Sequence, residues 1–456
     1  MRGGGADVSV PQPDAVSSGK SPFSARGFTP LWLSGLCWHW GRWAIAFLAG
    51  YHVNVVTDSP RMVQLTGAVM WAPLLLGGAV GGVISDRFDR RTTVRLQTAL
   101  LVPIVVLIGL GERAGQLSIW LLYPFLLFAG IGWVVDMTSR RALILDVVGP
   151  HRLGGAMAWE TMALASGLAA GQLLGGIVAD RAGVGEAFLG VGALLGLGLI
   201  LLMWVPRVPR SMPPAATAES REPKWTHALA DRVFEVVPPD QSGSQSASTE
   251  TAPQPSVAAE LRAGLRLART NRGLLSILGV TVMANFFMFA YFPAVQLIGK
   301  EVEATASQIG LIGSMTGFGM ITSSFITSVA SSRRWGILYV GGVFITMAML
   351  IVWALSPNVP FAVVTLYLAS CGSGLFAATQ STLVLTTVSE EMRGRAMGLL
   401  SMAIGALPVG TYVLGEVAQR FGPRTAVISM ASLGFVALTL WLTYCPEVVR
   451  RTRPGR

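Results

Sequence analysis

Twelve apolar runs, each long enough to cross about 30 Å of hydrocarbon, dominate this chain. Six fall near 29–54, 62–85, 93–112, 117–138, 156–180 and 185–205; after a polar interval six more fall near 273–298, 305–329, 335–355, 359–385, 395–418 and 425–445. Inside a bilayer every backbone N–H and C=O must find a partner within the protein, and a single run of about twenty residues manages this only as a helix. The pattern therefore predicts an all-α membrane protein with twelve transmembrane helices in two pseudo-symmetric six-helix bundles. Composition excludes the soluble classes: of 456 residues 52% are apolar and only 13% charged, against about a quarter in an ordinary soluble domain.

An even number of spans puts both termini on one side, and the basic residues say which. The loops on the side away from the termini hold Arg61, Arg113, Arg181, Lys300, Arg420 and Arg424, and Arg42 lies within a span. The other 27 of the 34 basic residues fall on the terminal side, so both termini are expected in the cytoplasm of a cell (inner or plasma) membrane. The net charge of +10 follows from that asymmetry and is no argument for nucleic acid. Residues 1–28 are polar, lack an apolar core and read as a disordered cytoplasmic tail. Residues 29–205 and 273–446 are the two bundles, and 447–456 a basic cytoplasmic tail. The interval 206–272 reads as a cytoplasmic linker: Ser/Pro/Gln-rich in its middle, with stretches around Trp225–Val236 and Leu261–Leu267 either surface helices or plain basic loop.

The halves resemble each other. Ala156-Met157 matches Ala396-Met397 at an offset of 240, and Gly171, Gly176, Ala179, Arg181 and Gly183 match Gly410, Gly415, Ala418, Arg420 and Gly422 at 239. Duplicated halves place a substrate site at their interface, near the bilayer midplane. Three cysteines inside or beside apolar runs make no disulfide framework, and four scattered histidines make no metal site. No cofactor is expected. Gly19-Lys20-Ser21 imitates the end of a phosphate-binding loop, but Asp14 stands where its first Gly belongs, and an enzyme is not indicated.

The turn after span 2 reads Gly82-Val83-Ile84-Ser85-Asp86-Arg87-Phe88-Asp89-Arg90-Arg91, and Asp86 and Arg90 have the spacing of a helical ion pair. This stretch resembles the signature of the major facilitator superfamily between spans 2 and 3. Gly82, Asp86, Arg87, Arg90 and Arg91 match it, and Asp89 stands where Gly is commoner. Its form is similar to the drug and metabolite proton antiporter branch containing the enterobactin exporter and macrolide efflux proteins. The resemblance implies a conformational latch that engages a neighbouring helix end in one state and releases it in the other. Span 5 carries Gly167, Gly171, Gly175 and Gly176, a glycine face suited to close helix packing. It resembles the signature of antiporting exporters, with Gln172 in place of Pro. A third signature, an Arg in mid-span 4, is absent: Leu126 occupies its position before Gly130.

Ionisable residues inside a span are costly and are functional candidates by default. His39 and Arg42, three apart in span 1, are expected on one face. A cation lining the cavity favours anionic or zwitterionic substrates, although Arg also snorkels or pairs across a bundle. His39 is a candidate proton carrier or an ordinary hydrogen-bonding residue. Asp136 and Arg140 in span 4, with Glu160 in span 5, are expected to form either a breakable gate or a static cluster; Glu160, with fewer obvious neutralising neighbours, is the preferred proton carrier. Trp32, Trp38, Trp40 and Trp43 either stack on a planar substrate or sit in core and interface. The expected function is a monomeric, proton-coupled exporter of an amphipathic small molecule, a drug or an endogenous metabolite such as a siderophore. Nutrient uptake by symport, sodium coupling and a non-transporting sensor or scaffold stay open. One expectation is tested by fusion reporters: green fluorescent protein at either terminus should fluoresce and alkaline phosphatase there should be inactive, the reverse placing the termini outside.

Overall fold

The computed structural model describes residues 21–75, 89–207, 270–330, 334–389 and 392–450. The first half comprises α1 (Phe28–Thr57), α2 (Pro60–Trp71), α3 (Arg90–Arg113), α4 (Ile119–Val148), α5 (Leu153–Ala182) and α6 (Val184–Met203). In the second half span 7 is α7 (Arg272–Met283) followed by α8 (Ala294–Glu301). Then come α9 (Ala306–Val329), α10 (Trp335–Ala354), α11 (Val359–Thr387), α12 (Arg393–Ile404) with α13 (Ala406–Phe421), and α14 (Pro423–Tyr444). Ten helical stretches among the described residues are long and apolar enough to cross a bilayer; α1 and α2 are the remaining helices of the first half. The possible surface helices of the linker, and Gly82, Asp86 and Arg87, lie outside the described residues.

Three boundaries differ from the sequence reading. The last part of the tail expected over 1–28 is structured: Pro22–Ser24 form a 3₁₀ turn, and Phe23 packs edge-on to Phe28, Trp32 and Trp159. Helix α4 runs ten residues beyond its apolar run, to Val148, because its interior charges are paired within the bundle. Span 7 is not one helix. A π turn (Ala284–Met288) and a 3₁₀ turn (Phe289–Tyr291) interrupt it ahead of Pro293, whose ring cannot continue the hydrogen-bond ladder. At the other end, Glu447–Arg450 add one helical turn, with Val448 buried.

Between helices in lipid there is no hydrophobic drive, so association depends on small residues that let backbones touch. The two halves meet along α5 against α9 and α2 against α13. A Cβ at Gly310 would stand 2.6 Å from the Gln172 carbonyl, and one at Gly317 would stand 2.4 Å from the Ala169 nitrogen. On the other seam a Cβ at Gly67 would lie 2.4 Å from Pro293, and one at Gly415 2.7 Å from Gln64 Cβ. Polar contacts reinforce the seams at the end of the bundle away from the termini. Lys300 pairs with Asp58, Arg61 with Glu416 at 3.3 Å, Ser59 donates to Gln419 at 2.7 Å and Thr305 donates to Asp180 at 3.1 Å.

The internal repeat survives as geometry. Span 5 and span 11 both end at a glycine in the same unusual conformation, Gly183 at φ 108°, ψ 161° and Gly422 at φ 86°, ψ 157°. Each donates its N–H to the carbonyl four residues back, Ala179 or Ala418. Side chains are nearly excluded from this region of backbone space, at a cost of about 1–3 kcal/mol. Gly183→Ala and Gly422→Ala should therefore each lower the melting temperature of the purified protein, by comparable amounts. A loss at one site only would break the equivalence.

Candidate functional site

Among the described residues four Asp, Glu, Lys or Arg side chains are buried, and all lie in the first half: Arg42, Asp136, Arg140 and Glu160. Their positions depend on how closely α1 lies against α5. A Cβ at Gly167 would stand 2.7 Å from His39 Cβ, one at Gly171 2.5 Å from the Trp40 carbonyl, and one at Gly175 3.5 Å from the Phe47 ring. The fourth residue of that face, Gly176, turns to α9, where a Cβ would stand 2.5 Å from the Ala306 carbonyl. The span-5 glycines thus join α1, α5 and α9 into one packed unit. Gln172, where the resemblance expects Pro, lies within a continuous α5 and donates to the Leu168 carbonyl (3.0 Å) and, across the seam, to the Gly313 carbonyl (3.1 Å).

Held this close, α1 meets α5 through a direct contact of His39 Nε2 with Glu160 Oε1 at 2.9 Å. Glycine matters here as well: a Cβ at Gly35 would stand 3.3 Å from Glu160 Oε2 and 3.5 Å from Arg140 Nη1. Arg140 grips Asp136 four residues back, Nη2 to Oδ1 at 2.8 Å and Nε to Oδ2 at 3.0 Å. It also donates Nη1 to Ser34 Oγ at 2.9 Å, and Gln97 Nε2 donates to Asp136 Oδ1 at 2.8 Å. A cleft bordered by His39, Trp133, Asp136, Arg140, Arg141 and Glu160 opens over both pairs.

Two expectations are corrected. The single Asp136–Arg140–Glu160 linkage is instead two pairs, because His39 reaches Glu160 first. Glu160 Oε2 has no hydrogen-bond partner among the described residues, whereas Asp136 is held by both Arg140 and Gln97. His39 and Arg42 also diverge despite their spacing: Arg42 lies among tryptophans, its guanidinium carbon 4.2 Å from the Trp133 ring centre and 4.4 Å from that of Trp43. Of the other span-1 tryptophans, Trp32 donates to the Trp159 carbonyl and Trp40 to Ser166 Oγ, each at 3.0 Å. Leu126 is buried and lines a second cleft, between the halves, with Trp43, Trp71, Phe292 and Gln296.

In the loop after span 2, Arg90 meets both oxygens of Asp146 at 2.9 Å. Arg91 donates to the Met203 carbonyl at the end of α6, where a cation also suits the helix dipole. Asp89 caps α3 by accepting from the Thr92 N–H (2.9 Å) and hydroxyl (2.6 Å), and that hydroxyl holds its carboxyl below the usual range. Gln97, Ser34, Asp146, Trp71 and Trp133 are site residues that motif reading passes over. A lone glutamine in the apolar run of span 3 is the one signal among them.

A model of the Major Facilitator Superfamily matches residues 31–407 and again 275–456. The chain belongs to that superfamily. It is a transport protein and not an enzyme. It is similar to the Enterobactin exporter EntS of Salmonella choleraesuis, 22% identical over 403 residues that cover 88% of this chain and 87% of the relative. Against EntS of Escherichia coli O139:H28 the identity is 22% over 405 residues, with the same coverage. Among solved structures, a bacterial homolog of the human lysosomal transporter Spinster, inward-facing and occupied, aligns with a TM-score of 0.67 at 15% identity, covering 96% of this chain and 100% of the other. A D-xylose-proton symporter aligns at 0.63 and 15%, covering 94% and 99%. Both likenesses concern the fold.

Breaking one partner of a buried ion pair leaves the other charge stranded, at about 3–5 kcal/mol, whereas removing both is much milder. Asp136→Asn or Arg140→Gln alone should lower the melting temperature more than the two together. A double variant as unstable as the sum would show that the pair is not the unit.

Proposed function

We propose that this protein is a proton-coupled exporter of amphipathic small molecules, a drug or an endogenous metabolite such as a siderophore, working by alternating access. It would act as a monomer in the inner membrane with both termini cytoplasmic. The observation that carries this reading is the buried His39–Glu160 contact. It bridges two helices of one half and lies beside a cleft on the terminus side of the inter-half contacts. A proton added there changes the charge of a desolvated pair, and among the described residues His39 Nδ1 and Glu160 Oε2 are both buried with no hydrogen-bond partner, which leaves the pair positions through which to exchange it. Export is favoured by the similarity to EntS proteins and by the span-5 glycine face.

Polar inter-half contacts at the end away from the termini, such as Lys300 with Asp58 and Arg61 with Glu416, support a carrier that loads from the cytoplasm. In this reading Gly82, Asp86, Arg87, Arg90 and Arg91 act as the latch. Arg90 and Arg91 anchor it to α4 and α6.

The test is accumulation of labelled cations and anions in expressing and control cells, with and without a protonophore, alongside exchange in proteoliposomes without a gradient. The wild type should lower accumulation of some compounds, and the protonophore should abolish the difference. Glu160→Gln should lose that gradient-driven export and still exchange labelled for unlabelled compound. Raised accumulation would mean uptake, full export by Glu160→Gln would remove the carboxylate from coupling, and no response across the panel would favour a non-transporting protein.

A further inference from the structure

Among the described residues Arg42 is the one buried cation of this cluster that makes no hydrogen bond or ion pair. It is 2% exposed, and Nε, Nη1 and Nη2 all lack a hydrogen-bond partner among the described residues. The nearby acids are already engaged, Asp136 by Arg140 and Gln97 and Glu160 by His39. The faces of the guanidinium are occupied instead: its central carbon lies 4.2 Å from the Trp133 ring centre, 4.4 Å from that of Trp43 and 5.6 Å from that of Trp71.

Cation–π contact uses the face of the guanidinium and leaves its in-plane N–H fork unspent. A buried charge without hydrogen bonds is destabilising, so such a side chain is a liability to the fold unless something meets it during the working cycle. What fits a planar fork best is a carboxylate or similar oxyanion approaching edge-on.

The surroundings say what the rest of such a molecule looks like. Trp43 and Trp71 also border the cleft between the halves, and Trp133 borders the cleft over His39 and Glu160. Arg42 itself lines neither cleft; the rings that cover it do, and they are what separates its guanidinium from both. From the second half Phe292 comes up against the same rings, 5.7 Å from Trp43 and 6.0 Å from Trp71, where it is nearly stacked at 29°. Planar faces from both halves converge beside a fork that makes no hydrogen bond among the described residues.

We propose that Arg42 is the recognition point for the acidic group of the substrate, and that the protein selects planar, anionic small molecules whose ring lies against Trp43, Trp71 and Phe292. This rests on the transporter reading above and names its substrate class.

The experiment is equilibrium binding of radiolabelled 1-naphthoate to the purified full chain in lipid nanodiscs, against 1-naphthamide and 1-naphthylmethylammonium. The wild type should bind naphthoate saturably and prefer it to both analogues. Arg42→Met should weaken naphthoate binding roughly thirtyfold or more, with a melting temperature unchanged or raised, because it removes an unpaired buried charge. Arg42→Lys keeps the charge without the fork, and should retain the preference for naphthoate at reduced affinity.

The proposal is overturned by unchanged binding in Arg42→Met, by a wild type that prefers the amine or amide or binds no naphthoate, or by Lys serving as well as Arg. A lowered melting temperature in Arg42→Met would equally overturn it, assigning Arg42 to structure. Binding is read without a gradient, so a failure of coupling at Glu160 leaves this result standing, and the converse holds.

Discussion

Backbone touching backbone is the contact on which the rest of this protein depends. A lipid tail is as apolar as a leucine, so helices gain little by hiding side chains from it, and what holds them is close approach. Gly167 and Gly171 bring α1 against α5, and Gly176, Gly310 and Gly317 bring α5 against α9. The distances that follow are possible only because of those absences of side chain. Were α1 displaced by the thickness of one methyl group, the His39–Glu160 contact across 121 positions of sequence would be lost. Outward, Leu107, Ile200, Val364 and Leu440 are left exposed to the bilayer.

The two halves are alike in backbone and unlike in chemistry. The second half has a buried polar network of its own, but it is neutral: Tyr339 lies 2.8 Å from the Thr281 hydroxyl, and Gln380 donates to that same hydroxyl at 3.3 Å. It carries instead the interrupted span 7, whose turn sets Phe289 and Phe292 against the first half. Breaks of the π type recur at functional positions. One half supplies charge, and the other supplies a neutral aromatic surface that faces it.

Span number and order were legible in the sequence because length and polarity alone decide what can sit in hydrocarbon. The Asp136–Arg140 pair was legible too, since four-residue spacing on one helix brings side chains together whatever surrounds them. The repeat was legible at Gly183 and Gly422 because a backbone conformation nearly closed to other residues marks its own position. What was not legible depends on helix rotation. That His39 would turn to Glu160 while Arg42 turned to Trp71 and Trp133 follows from how three helices are set about one another, which spacing within α1 does not encode. The break in span 7 hid for a different reason: Pro293 lies in a run whose hydropathy never falters. At the amino end, polar composition concealed Phe23, one aromatic ring that is enough to fasten residues just ahead of α1.

The buried charges also have an electrical consequence. Arg42 and Arg140 against Asp136 and Glu160 sum to zero when His39 is neutral, and all four ride on the same bundle. A charge displaced through a membrane potential costs about 2.3 kcal/mol per 100 mV, but a bundle whose interior is balanced tilts through the field without that cost. One proton alone makes the interior positive, and one anion alone makes it negative. In the proposed exporter the bundles would swing inward with the proton and outward with the anion, so each swing carries one charge. A potential that is negative inside would then assist both swings.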